Sequence, residues 1–403
     1  MGDFYQNGLV TTLHNLGERP YEELEAKLLG YSKKRSMSLI LPCLFSEIRG
    51  PALDNIIKEL NRVPYIQEII IGLDKAGKQE FDIAKDYFNK LNAWHRILWN
   101  DGPHMKALDK LLIDEDIAPK EMGKGRNAWY CLGYFNASGR SDAVAMHDCD
   151  ILTYSRHMLA RLFYPVMDPA FNYKFCKGYY YRCNGKILHG RVSRLLVTPL
   201  LRTLKKFIGN EYFLEYLDSF RYPLAGEFSM RADITKIIRI PSDWSLEIGI
   251  LSEALRTTAI GRICQVDIAD RYDHKHQELS ESDPDAGLSK MSTEIARAIF
   301  SKLASNGVIF SRGMIRSVKA TYYRIALDIL DQYHSDAIIN GLTLDRHLEE
   351  QTVDLFAANV YRAGEIFLDN PMQVPTIPSW KRVLSAVPDF FARLLEAVEL
   401  DNA

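Results

Sequence analysis

Short apolar runs and amphipathic stretches alternate along residues 38–150. The apolar runs, which we predict as buried parallel strands, are 38–41, 66–72, 96–99 and 143–146. The stretches with helical spacing are 51–60, 81–91 and a segment that follows Gly123 and continues through Ala137. Strands and helices in alternation predict a mostly parallel, Rossmann-like α/β sheet with helices on both faces.

The rest of the chain has two further patterns, first a mixture of strands and helices and then helices alone. The aromatic run 171–182 and the apolar run 263–268 predict further strands, and residues 195–207 and 247–255 have helical spacing. After the polar segment 281–287, helical spacing returns in four stretches, which are 290–304, 315–333, 346–368 and 380–400. We therefore expect a lead-in (1–37), an α/β domain (38–280) and a helical C-terminal region (281–403). The last would pack on the sheet domain or on another subunit and serve oligomerisation.

Composition and charge narrow the class of protein. The 403 residues are 47% hydrophobic with a formal net charge of −2, so no overall field favours nucleic acid or an anionic membrane as a partner. The N-terminus lacks the pattern of a secretory signal, and no apolar run is long enough to span a membrane. Six cysteines without a Cys-x-x-Cys motif fit reduced thiols in a cytoplasmic protein.

Two aspartates, Asp148 and Asp150, directly follow the apolar run 143–146. Carboxylates at the carboxyl end of a buried strand suit a hard divalent cation that also binds phosphates, although a solvated turn is the alternative. Cys149 between them would point the opposite way along an extended segment, so we interpret it as a core residue. His274, after the strand predicted at 263–268, is a further candidate ligand or else a surface histidine.

Three other positions have chemistry suited to anions or sugars. Lys124, between two glycines at the start of a predicted helix, could meet a phosphate or carboxylate or be a surface lysine. Arg191 with Ser193 at a helix N-terminus would form an anion pocket, or would simply be part of a capped helix. Glu247 could bind a sugar hydroxyl or be a first-turn residue favoured by the helix dipole.

Taken in order, the motifs resemble those of the glucosyl-3-phosphoglycerate synthases, which are retaining GT-A glycosyltransferases related to mannosylglycerate-type synthases. The resemblance spans residues 38 to about 304. The matching blocks are Leu41-Pro42-Cys43-Leu44, Gly123-Lys124-Gly125, Asp148-Cys149-Asp150, Gly190-Arg191-Val192-Ser193, Thr198-Pro199-Leu200-Leu201, Pro223-Leu224-Ala225-Gly226-Glu227, Leu246-Glu247-Ile248-Gly249, and His274 with Met291-Ser292.

The resemblance implies a GT-A fold and a role for each matching residue. The nucleotide part (38–150) would bind the donor through Pro42, Leu44, Glu47, Asp74, Lys124 and Asp148. In the acceptor part (151–280), 3-phosphoglycerate would be held by Gly190, Arg191, Val192 and Ser193. Trp244 and Glu247 would bind the glucose, and Asp150 and His274 would hold Mg²⁺, Mn²⁺ or Co²⁺. Arg271 would face the diphosphate, and the Leu224 carbonyl would lie near the sugar.

The implied reaction transfers glucose from UDP-glucose to the 2-hydroxyl of 3-phosphoglycerate with retention, by same-face attack. A homodimer and a place in glucosylglycerate or compatible-solute synthesis are implied too. The alternatives are GDP-mannose or GDP-glucose as donor, glycerate as acceptor, or a non-catalytic sugar-nucleotide binding protein. The sequence departs from the family pattern at His274-Lys275-His276, where His-Arg-Asn is usual, so His276 receives no role. It departs again at Phe45-Ser46-Glu47.

Overall fold

The computed structural model describes residues 6, 8–17, 19–119, 121–274, 286–371 and 376–403. These residues build an eight-stranded sheet with the strand order β1-β8-β6-β7-β5-β2-β3-β4. The strands are Thr11–Leu13 (β1), Met37–Leu44 (β2), Glu68–Asp74 (β3), His95–Trp99 (β4), Ala143–Met146 (β5), Phe175–Arg182 (β6), Phe228–Arg231 (β7) and Ile263–Tyr272 (β8).

The strands predicted between residues 38 and 146 are confirmed as a parallel half-sheet. β5, β2, β3 and β4 lie side by side and all run parallel. β7 pairs antiparallel with both β5 and β6, and so joins this half to the parallel group of β6, β8 and β1. The sequence does not predict β7 or β1. These strands have only four and three residues respectively, and each includes polar residues, so neither forms a recognisable apolar run.

Helices cover both faces of the sheet. They are Tyr21–Ser32 (α1), Phe45–Ile48 (α2), Leu53–Leu60 (α3), Lys78–Phe88 (α4), Pro103–Asp114 (α5), Lys124–Ser138 (α6), Arg156–Met167 (α7), Thr198–Ile208 (α8), Tyr212–Asp218 (α9), Ala232–Thr235 (α10), Leu246–Thr257 (α11), Gly287–Ser305 (α12), Arg312–Ile339 (α13), Arg346–Asp369 (α14), Trp380–Ala386 (α15) and Phe390–Asn402 (α16). A π-helix, Val192–Val197, runs directly into α8.

Two hydrophobic cores lie on opposite sides of the sheet. One is formed with α1, α3, α4 and α7, and the other with α5, α6, α8, α9 and α11 to α16. The C-terminal helices therefore pack on the sheet domain, α16 against β4 and α12 to α14 against α8, α11 and the π-helix, which is the first of the two arrangements expected. Trp380 stacks on Trp129 of α6 with ring centroids 3.8 Å apart. The division into three regions and an oligomeric role for the last stay predictions.

The last predicted helix is in fact two. Residues 380–400 form α15 and α16, which are separated at Val387, Pro388 and Asp389. Proline lacks the backbone N–H that a continuing helix needs, so the helix is interrupted at Pro388. Among the helices of the described chain, none combines the length and the apolar character needed to cross a membrane.

Candidate active site

The carboxyl ends of β2, β3 and β5 meet at one edge of the sheet. All four residues of β5 are buried, and the His147 N–H donates to the Ile40 carbonyl of β2 at 3.1 Å, which continues the pairing one residue beyond β5. The segment from Asp148 to Asp150 therefore leaves the sheet at a fixed position. This edge is where α/β sheets bind their ligands.

Asp148, Asp150 and His274 form a cluster with the composition of a metal site. One ligand atom from each lies within 4.8 Å of the others, and His274 Nδ1 is 3.6 Å from Asp150 Oδ1. Asp150 Oδ1 is buried and accepts no hydrogen bond within the described chain. A buried carboxylate oxygen without a donor suits a cation, and two carboxylates with an imidazole suit Mg²⁺ or Mn²⁺. The residues therefore fit the metal that the sequence predicted.

His274 is brought to Asp150 by pairing of the segments that follow β5 and β8. Ile151 and His274 form an antiparallel bridge, and the Leu152 N–H donates to the Asp273 carbonyl at 2.9 Å. The Asp273 N–H in turn donates to Thr153 Oγ1 at 3.1 Å. Backbone pairing thus fixes the place of the imidazole.

Lys124, at the N-terminus of α6, joins two carboxylates. Its Nζ lies 2.7 Å from Asp148 Oδ1 and 3.2 Å from Glu247 Oε1. Burial favours the neutral form of Lys124, but Asp148 and Glu247 outweigh it and raise its pKa above the usual value. Burial likewise opposes ionisation of Asp148, but Lys124 lowers the pKa of its carboxyl. Both side chains are therefore charged at neutral pH.

Gly226 allows the next loop to approach this ion pair. A Cβ at Gly226 would lie 2.5 Å from Asp148 Oδ2 and 3.0 Å from Lys124 Nζ, which is too close for the pair to stay in place. The preceding Leu224 is in a turn closed by the Ala225 N–H donating to the Tyr222 carbonyl at 3.1 Å. The loop with the Leu224 carbonyl therefore borders the Lys124–Asp148 pair.

Beneath this loop lies a buried polar layer that the sequence reading missed. Lys177 of β6 is fully buried and donates to the Ala225 carbonyl at 2.5 Å, and burial lowers its pKa to about 8. Glu227 is also fully buried and accepts from the hydroxyls of Tyr180 at 2.8 Å and Tyr272 at 2.7 Å. Burial and the nearby Asp148 charge raise the pKa of Glu227. In the sequence, the aromatic run around Lys177 predicts a strand and gives no sign of this polar layer.

The expected anion pocket lies at the start of the π-helix. Gly190 has φ +82°, a left-handed conformation that favours glycine, and the Arg194 N–H donates to the Gly190 carbonyl at 3.0 Å. Ser193 Oγ is buried and has no hydrogen-bond partner among the described residues. Arg191 Nε lies 3.1 Å from Glu349 Oε1 of α14, a contact that sequence reasoning did not find. Val192 is partly buried against the core beside it.

On the nucleotide side, β2 and β3 place Leu44 directly beside Asp74. Asp74 Oδ1 accepts from Asn100 Nδ2 at 2.8 Å, and burial raises the pKa of Asp74. Pro42 is partly buried, and Glu47 lies on the short helix α2. These residues line one end of the same sheet edge.

The remaining predicted residues lie around the cluster. Trp244 is 39% exposed, and its backbone N–H donates to Glu294 Oε2 at 3.0 Å. Arg271 is exposed, whereas the next residue, Tyr272, is buried against Glu227. Because side chains alternate along a strand, Arg271 points away from that buried layer, and its contact with a diphosphate stays a prediction. Lys275 and His276 lie outside the described residues.

A mixed sheet with an Asp-x-Asp motif and a histidine after its strands, and a lysine at the start of a helix beside them, defines a glycosyltransferase of the GT-A type. Two curated relatives identify the kind of glycosyltransferase more closely. The glucosyl-3-phosphoglycerate synthase of Persephonella marina is 43% identical over 403 residues, 100% of both chains. That of Methanococcoides burtonii is 39% identical over 404 residues, 99% of this chain and 98% of the relative. No family model matches the chain.

A solved structure has the same fold. The glucosyl-3-phosphoglycerate synthase of Mycobacterium tuberculosis in complex with Mn²⁺, UDP-glucose and phosphoglyceric acid aligns with a TM-score of 0.54 and 21% identity, over 75% of this chain and 89% of that one. Given the full-length relatives, this chain belongs to the glucosyl-3-phosphoglycerate synthase family.

Proposed function

We propose that this protein transfers glucose from UDP-glucose to the 2-hydroxyl of 3-phosphoglycerate with retention of configuration. The observation that carries the proposal is the meeting of Lys124, Asp148, Asp150, Glu247 and His274 at one sheet edge, in a chain that shares its whole length with named synthases. The M. tuberculosis protein of the same fold was solved with UDP-glucose and phosphoglyceric acid, which supports the same substrates here.

Asp150 and His274 would hold the divalent cation, with Asp148 close enough to join them. When bound, such a cation neutralises the charge that grows on a departing diphosphate. Asp148 would also position Lys124, because its carboxylate contacts the Lys124 ammonium at the N-terminus of α6. A fixed cation at that place would stabilise the same developing charge without reorganising during the reaction.

Glu247 would bind the hydroxyls of the glucose. Its side chain is 13% exposed, and Lys124 contacts its Oε1. Its Oε2 accepts no hydrogen bond from the described residues and would take a sugar hydroxyl. Trp244, three residues earlier and partly exposed, would stack on the ring. Retention would come from attack on the same face as the leaving group, with the Leu224 carbonyl beside the sugar. No carboxylate is assigned as a nucleophile.

The acceptor would be bound at residues 190–193. Arg191, Ser193 and the first amides of the π-helix supply donors for an anion. This pocket is built from the chain segment that follows β6. A phosphorylated acid, with a phosphate and a carboxylate, would use these donors more fully than glycerate, which has only the carboxylate.

A donor–acceptor panel tests the proposal. UDP-glucose, GDP-glucose and GDP-mannose are each combined with 3-phosphoglycerate or glycerate, and nucleoside diphosphate release is measured. We expect turnover to be greatest with UDP-glucose and 3-phosphoglycerate, to stop with EDTA and to return with Mg²⁺. Greatest turnover with GDP-mannose would favour the mannosyl reaction, and binding without turnover for every donor would favour a non-catalytic protein.

We also infer a cytoplasmic homodimer that contributes to glucosylglycerate or another compatible solute. Support for the location comes from the six cysteines, all of which are buried and unpaired by disulfides. Light scattering in solution tests the dimer, for which we expect twice the chain mass of 46.1 kDa.

A further inference from the structure

A glutamate of the C-terminal helical region lies at the expected acceptor pocket. Glu349, in the first turn of α14, is 2% exposed and contacts two arginines. Its Oε1 lies 3.1 Å from Arg191 Nε, and its two oxygens accept from Arg194 Nη1 at 2.9 Å and Nη2 at 3.0 Å. A glutamate in an anion pocket would by itself repel the ligand, so its negative charge must be balanced by neighbouring groups.

Arg194 neutralises Glu349. Its two terminal nitrogens take both carboxylate oxygens, its Nε donates to the His189 carbonyl at 2.8 Å, and its guanidinium lies 5.0 Å from the Tyr333 ring. A paired and hydrogen-bonded charge of this kind can remain buried. The three side chains together keep a net charge of +1, and that charge is on Arg191.

Arg191 is bound by Glu349 on one side only. Its Nε is engaged, whereas Nη1 and Nη2 make no hydrogen bond within the described chain, and the side chain is 28% exposed. A guanidinium fixed at Nε presents its two terminal nitrogens as a planar fork, the geometry that matches two oxygens of a phosphate or carboxylate. Two residues along the chain is Ser193, whose buried hydroxyl has no hydrogen-bond partner in the described part of the chain.

We propose that Glu349 is a positioning residue for acceptor binding, which fixes Arg191 so that its terminal nitrogens meet the acceptor anion. The inference rests on the proposed function, in which Arg191 contacts 3-phosphoglycerate. It gives the C-terminal region a part in the acceptor site, in addition to its packing on the sheet domain. Holding a long side chain in the bound conformation beforehand lowers the entropy lost when the ligand binds.

Two other roles for the contact between Glu349 and Arg191 predict different effects on stability and on the acceptor KM when Glu349 is replaced. If Glu349 only fastens α14 to the π-helix, its loss lowers thermal stability and leaves the acceptor KM unchanged. If Glu349 competes with the acceptor for Arg191, its loss lowers the acceptor KM. A positioning role raises the acceptor KM and leaves the donor KM unchanged.

The test is steady-state kinetics of Glu349→Gln, with Glu350→Gln as the control. Glu350 is the next residue on α14, is 42% exposed and pairs with Arg346 at the surface. We expect Glu349→Gln to raise the KM for 3-phosphoglycerate about tenfold or more, since a charge-assisted hydrogen bond is lost. The KM for UDP-glucose should stay within about twofold, and Glu350→Gln should match the wild type. Adding Glu349→Gln to Arg191→Ala should raise the acceptor KM no further.

An unchanged or lower acceptor KM in Glu349→Gln overturns the inference, whatever the melting temperature does. Should that variant not fold, Glu349→Asp replaces it, because it keeps a charge for Arg194 but shortens the reach to Arg191. An unchanged or lower acceptor KM in Glu349→Asp then overturns the inference. Arg191→Ala separates this result from the proposed function: an unchanged acceptor KM there contradicts the acceptor pocket itself.

Discussion

His274 Nδ1 lies 3.6 Å from Asp150 Oδ1, although the two residues follow different strands of the sheet. The bridge between Ile151 and His274 brings them together, and Asp148 lies within reach of both. The contact joins the nucleotide half of the sheet to its last long strand. The expected metal site therefore depends on tertiary pairing as much as on the Asp-x-Asp motif.

Replacing a ligand of this cluster should abolish metal-dependent turnover. For Asp150→Asn and His274→Ala we expect Mn²⁺ affinity, measured by calorimetry, to fall by more than about 100-fold, because a removed ligand costs more than a removed supporting group. Asp54→Asn is the control, since Asp54 is an exposed carboxylate whose side chain is 72% accessible. Unchanged Mn²⁺ affinity in both cluster variants would exclude this site.

Gly226→Ala should reduce turnover strongly. The added methyl group would lie 2.5 Å from Asp148 Oδ2, so the loop or the Lys124–Asp148 pair must move. We expect kcat to fall about 100-fold or more, since small misplacements of catalytic groups have effects of that size. Gly261→Ala is the matched control, because a Cβ there has no neighbour within 4 Å. Equal kcat values in the two variants would contradict the close approach.

Stability between about pH 8 and 10.5 should depend on Lys177. Burial lowers its pKa from 10.5 to about 8 in the folded protein, so within this range the unfolded chain binds more protons and stability rises with pH. Lys177→Met removes that contribution, so the free energy of unfolding should rise less with pH in the variant. Urea denaturation at several pH values measures the difference, and parallel pH profiles would contradict a lowered pKa for Lys177.

The strand ends could be predicted from sequence because buried parallel strands leave continuous apolar runs. β2, β3 and β5 all appeared as such runs, and Asp74, Asp148 and Asp150 follow from where those runs stop. Lys124 can be identified as a candidate because it lies between two glycines at the start of a predicted helix. The family resemblance then gave these positions their expected roles.

Contacts between distant segments could not be predicted in the same way. Arg191 and Glu349 are 158 positions apart, and Glu349 in sequence is an ordinary acidic residue near a helix start. Lys177 stands among aromatics that by themselves indicate sheet packing, and only its position under the Ala225 carbonyl shows that it is buried beside the site. Such partners are set by which helices and loops pack together.

The most direct measurement is proton NMR of the product made from UDP-glucose and 3-phosphoglycerate with Mg²⁺. We predict a single product in which glucose is joined to the 2-hydroxyl of 3-phosphoglycerate in the α-configuration of the donor, formed together with UDP. A β-linked product, or no transfer of glucose from UDP-glucose, would contradict this reaction.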